Sequence, residues 1–179
     1  MENYKQILKN TVFCMAVVSM GMSYSVLAAD NVDIKITGTI KASPCTVDAS
    51  SGNVVNVDLG TDIKAATLTA AKGSDWVPFA LHLKDCPTST TSVTAAFSGT
   101  QAAEETGLYQ NTGDADKVQI ELQNVATSTR QGNNSTLVAP VLLATNDATF
   151  NLRARAYSST GGVTPGSVVG TVQVAFTYQ

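Results

Sequence analysis

The sequence has a single histidine, His82, and that scarcity removes several chemistries. A Ser–His–Asp relay would have to run through His82, and no Gly-x-Ser-x-Gly elbow accompanies it. A metal site needs several ligands, and there is no second histidine to supply one. His82 also alternates with Val77, Phe79, Leu81 and Leu83, which places it on the exposed or rim side of a strand. No glycine loop suited to phosphate is present. Basic residues do not cluster, which argues against nucleic acid as a partner. The acid pairs Glu104-Glu105 and Asp114-x-Asp116 read as solvated loops, not as a calcium site or a glycosidase pair. No catalytic residue, cofactor or metal is therefore expected.

Long apolar runs are also scarce. The one at Thr11 to Met22 is too short to span a bilayer, and it follows Lys5 and Lys9. Val26-Leu27-Ala28 then places small residues where a signal peptidase reads them. Residues 1–28 are therefore expected to be a signal peptide, cut after Ala28 or one residue later, with no membrane insertion afterwards. Cleavage after Ala28 leaves 151 of the 179 residues, enough for one domain, with 13 acidic residues against 9 basic. Cysteine is limited to three, and Cys14 leaves with the leader. In an exported chain Cys45 and Cys86 read as one disulfide, the alternative being two buried thiols.

What the chain has in quantity is period-two alternation, the mark of half-buried strands. It runs through Val77–Leu83, Val93–Phe97, Val118–Leu122, Phe150–Ala156 and Val172–Tyr178, with a shorter run at Val55, Val57 and Leu59. Turn-rich segments separate these runs, among them Asp48–Asn53, Gln131–Ser135 and Ser158–Gly162. The Asn-Asn-Ser-Thr stretch at 133–136 contains two glycosylation sequons by pattern and is read as part of such a loop. Only Asp62 to Lys72 is suited to a helical turn or two. The pattern predicts an all-β, immunoglobulin-like sandwich. Trp76, the one tryptophan, is read as a packing or interface residue in preference to a sugar contact.

The two ends of the expected mature chain complement each other. Val32, Ile34, Ile36, Gly38 and Ile40 share one face of an extended segment, and Asp33, Lys35, Thr37 and Thr39 share the other. No hairpin partner adjoins this segment. Such a strand is a hazard unless covered, and it is also a means of adding to another sheet. At the other end, a sandwich of this type needs about seven strands. About six firm runs follow Pro44, and nothing follows the strand Thr171 to Tyr178. The expectation is a sandwich lacking its last strand, with an extension over 29–41 and a domain over 42–179.

The chain resembles pilins of the bacterial type 1–like fimbriae assembled by the chaperone–usher route. The residues that carry the resemblance are Gly38 followed by Ser43-Pro44-Cys45, then Val57-Asp58-Leu59-Gly60 and Phe79–Cys86. They continue with Val93–Gly99, the penultimate Tyr178, and Gly166 thirteen residues before the C-terminal residue. Trp76–Leu81 and Gly107–Asn111 are most similar to the minor subunit that links a tip adhesin to the shaft. The resemblance implies a structural subunit that is not an enzyme and that polymerises by donor-strand exchange. A periplasmic chaperone would pair with the C-terminal strand through Val172, Val174, Phe176 and Tyr178, with Gly166 upstream. At an outer-membrane usher, the strand carrying Val32, Ile34, Ile36, Gly38 and Ile40 would replace it on the preceding subunit, Gly38 meeting a shallow site. The alternatives are a major shaft pilin or a self-contained secreted β-sandwich that binds glycans.

Overall fold

The computed structural model describes residues 34–49 and 53–179. The expected leader, Cys14 and Val32 lie outside the described residues. Residues 34–38 fall in a unit separate from the sandwich, which occupies Thr39–Gln179.

Among the described residues the sandwich has nine strands in two sheets. The larger contains β1 (Thr46–Asp48), β2 (Lys72–Gly73), β3 (Val77–Lys84), β5 (Tyr109–Gln110), β6 (Gln119–Asn124) and β8 (Ala148–Ser158). Its order is β1-β3-β8-β6-β5, with β2 also pairing to β8. The smaller contains β4 (Ser92–Ser98), β7 (Thr136–Pro140) and β9 (Gln173–Tyr178), in the order β7-β4-β9. All the pairings are antiparallel.

Alternation fixes which side chains face inward. From β4, Val93, Ala95 and Phe97 are almost completely buried, as are Phe150, Leu152 and Ala154 of β8. Leu81 and Leu83 of β3 and Leu122 of β6 complete the centre of the core. Cys45 and Cys86 form a disulfide, joining the residue before β1 to a residue just past β3. Gly161 and Gly162 both take positive φ, and this lets the chain reverse directly after β8.

Several expectations need correction. The run Val55–Leu59 is not a strand, although Val57 and Leu59 pack half-buried against the core. The last strand begins at Gln173, not Thr171. The Ala- and Thr-rich stretch Asp62 to Lys72 holds one helical turn, of the 3-10 type, at Ala65–Thr67, within the expected turn or two. Its β-branched and polar content gives a longer helix little support.

Candidate functional site

The sheet edges differ in kind. β1 and β5 are three and two residues long. β7 ends on an exposed proline, Pro140. The N–H of Val141 points inward to the Thr91 carbonyl, so the missing N–H of Pro140 falls on the outer side of β7. Short strands and edge prolines both blunt further pairing. β9 has neither device. It pairs with β4 along its whole length, and its other edge has no partner among the described residues.

Burial changes abruptly between these two neighbours. Val93 lies beside Tyr178, Ala95 beside Phe176 and Phe97 beside Val174. The three β4 residues are 0%, 0% and 1% exposed. Their β9 neighbours point to the same interior but are only half-buried, as is Val172 just before the strand. The same condition holds for Val47 of β1, Phe79 of β3, Ile120 of β6, and Val57 and Leu59. These residues pack against the core without being covered by it. Together they describe a groove between the open edge of β9 and the larger sheet.

Two details define the groove further. Phe176 tilts against Phe150 with 5.9 Å between ring centroids, which ties the groove to the centre of the core. Towards the end of β9 there is a cleft of about 640 Å³ lined by Phe176, Tyr178, Gln179, Ile40, Ala42 and Ser89. Burial raises the Tyr178 hydroxyl above its ordinary pKa, as expected for a phenol at an apolar margin. The wall is apolar, and the edge offers backbone donors and acceptors. Its chemistry is that of strand addition.

The structure thus brings together Val172, Val174, Phe176 and Tyr178 from the sequence reading. It places Gly166 elsewhere. That glycine precedes β9, and a Cβ there would lie 2.5 Å from the Ala115 nitrogen, so it permits a close backbone approach between segments. Of the expected extension, Ile34, Ile36 and Ile40 are 82%, 90% and 100% exposed. Val47, Val57, Leu59, Phe79 and Ile120 were legible as apolar positions, but nothing in their spacing marked them as a wall. His82 is exposed and contacts Thr149 through Nδ1 at 3.2 Å. Among the described residues there is no cluster of metal-ligating side chains, and no helix long and apolar enough to cross a membrane.

Among the described residues, this is an all-β sandwich with one long unpaired edge and a half-covered interior. The family model described as Fimbrial protein matches residues 34–179, and the chain belongs to that family. It is 35% identical to the FimG protein of Escherichia coli K12, over 93% of this chain and 95% of that protein. It is 37% identical to the S-fimbrial adhesin protein SfaS of Escherichia coli O6:K15:H31, over 88% of this chain and 90% of that protein. Among solved structures, the P pilus rod subunit PapA superposes with a TM-score of 0.60 at 20% identity, covering 82% of this chain and all of PapA. The protein is a fimbrial subunit, a component of cell-surface fibres.

Proposed function

We propose that the groove along β9 takes a strand from another chain, and that the protein polymerises by donor-strand exchange. The observation that carries this reading is the fall in burial from β4 to β9 within one sheet. On this reading the subunit is structural and not an enzyme. A periplasmic chaperone covers Val172, Val174, Phe176 and Tyr178 first. At an outer-membrane usher, the extension of a neighbouring pilin subunit replaces it. The chain's own extension, residues 29–41 exposed by removal of 1–28, donates Val32, Ile34, Ile36, Gly38 and Ile40 to a second subunit.

The energetics support this scheme. Four aliphatic side chains buried at about 1.5–3 kcal/mol each supply on the order of 6–12 kcal/mol before costs. Backbone pairing adds a modest net gain per bond, and ordering the flexible segment opposes both. The likeness of Trp76–Leu81 and Gly107–Asn111 to a tip-linking subunit, with the near full-length match to FimG, favours a minor tip or adaptor position.

The test is thermal unfolding of the mature domain lacking Ala29 to Thr39, with and without peptides from pilin N-terminal extensions. Marked stabilisation by a peptide, in a complex that survives dilution, is expected. A domain indifferent to every peptide would instead be a self-contained sandwich.

A further inference from the structure

The loop between β7 and β8 has an apolar tip, where turn chemistry favours polar residues. Leu142, Leu143, Ala144 and Thr145 are all exposed, the two leucines at 60% and 71%, and none is charged. The tip is held by its own backbone. The Leu142 N–H donates to the Asp147 carbonyl at 2.8 Å, and the Leu142 carbonyl accepts from Thr145 N at 3.2 Å and Asn146 N at 2.7 Å. Asn146 takes a positive φ, which closes the turn. Single surface leucines are ordinary. Two in succession, fixed at the tip of a bonded turn, form a presented apolar surface.

The disulfide end of the sandwich sets the position of this tip. Val141 N donates to the Thr91 carbonyl at 2.9 Å, and Cys86 N donates to the Asn146 carbonyl at 2.9 Å. Both arms of the loop are thus bonded to the segment between β3 and β4. The same segment anchors the chain where it enters the domain. Cys86 is bonded to Cys45, and Thr90 Oγ1 donates to the Ser43 carbonyl at 3.1 Å. The leucine tip and the root of the N-terminal extension therefore share one end of the sandwich.

This shared end defines the partner. Ile40 is the last apolar residue of the donor face, and from it to the anchored Ser43 the chain spans at most about 11 Å. A subunit that buries Ile40 must therefore lie against the end that carries the leucines. A contact of two leucines is too small to hold two free proteins together. A tether this short raises the effective concentration to the millimolar range, where a small contact suffices. A lateral neighbour in the fibre has no such tether.

We infer that Leu142 and Leu143 dock on the pilin subunit that takes this chain's extension, and that this second contact fixes the angle between the two domains. The inference rests on strand donation by residues 29–41. It adds a contact between folded domains, outside the groove, to the one made by the strand.

The experiment uses fibres assembled by cells that make the full chain. A photoreactive benzoylphenylalanine replaces Thr37, Leu143 or Val138, one at a time. Thr37 lies on the polar face of the extension and reports which subunit takes the strand. Val138 is 59% exposed on β7 and serves as the comparison. After illumination, the crosslinked peptides are identified by mass spectrometry. The expected result is capture of the same pilin subunit from Thr37 and Leu143, and loss of that capture at Val138. In a separate variant, Leu142→Ser with Leu143→Ser should leave fibre yield unchanged and widen the spread of angles at this joint in electron micrographs. Capture at Thr37 with none at Leu143, or with a different subunit at Leu143, overturns the docking contact and leaves strand exchange standing. Equal capture at Val138 overturns it as well, because the contact is then not confined to the tip. An unchanged spread of angles removes the role in fixing the joint. Failure to capture any pilin from Thr37 defeats strand donation itself, and the docking contact with it.

Discussion

Phe176 of β9 and Phe150 of β8 lie with ring centroids 5.9 Å apart, which makes this pair a bridge between the two sheets beside the groove. Phe150 is 1% exposed, whereas Phe176 is only half-buried. Replacing Phe176 with alanine should cost roughly 2 kcal/mol in the isolated chain, below the usual cost for a fully buried phenylalanine. The cost should rise once a strand covers the groove. Urea unfolding with and without a donor peptide checks both values.

Gly38→Leu should hinder fibre formation without changing the folding of the sandwich. Normal fibre yield from this variant would remove Gly38 from the donor register. Ile34→Asp with Ile36→Asp should abolish donation and leave acceptance intact, read as unaltered binding of a donor peptide.

Removing the disulfide with Cys45→Ser and Cys86→Ser should lower stability by about 4 kcal/mol, given a separation of 41 residues. Denaturant unfolding measures the loss. The effect should centre on β1, which contributes Val47 to the groove wall.

Glu121 is 1% exposed and accepts from Arg130 Nε at 2.6 Å and Arg155 Nε at 2.7 Å. Glu121→Ala leaves Arg155 without its carboxylate and Arg130 with Glu105 alone, and should destabilise by about 3 kcal/mol. Urea midpoints compared with the wild type check this. A leucine at the same position, which fills the volume, should not rescue it while both arginines remain.

Glu105 accepts from Arg130 and from Ser159 Oγ at 2.8 Å. The bond from Arg130 is the main cause that holds its carboxyl below the ordinary value of 4.5. A depressed folded pKa contributes stability above the unfolded pKa of about 4.3, lost as pH falls through the folded value. Glu105→Gln should therefore be less stable than wild type at pH 7. The gap in thermal midpoint should close on acidification below about pH 4.

Most of the fold was legible because period-two alternation is a local signal. Val93, Ala95 and Phe97, and Phe150, Leu152 and Ala154, were visible as inward faces and are buried. The same logic placed Gln119, Glu121 and Gln123 on an outer face, which is correct for direction and misleading for exposure. Gln119 and Glu121 are buried, with Arg130 reaching in from the loop after β6 and Ser159 from a segment distant in sequence. Glu105, read as a solvated loop acid, is tied down by the same contacts. Periodicity cannot report such cover. Nor could it show that Val57 and Leu59 pack as an irregular wall, since an apolar alternation does not state whether a neighbouring strand will pair with it. Gly166 was singled out by its distance from the C-terminus, whereas its packing is against Ala115.

Pro140 has a consequence for assembly beyond its own strand. With β7 capped, and β1 and β5 too short to template another chain, each domain offers one long edge for pairing. A unit that can receive one strand and give one strand has a valence of two. Growth from such units would be unbranched and without crosslinks, and its products are an open fibre or a closed ring.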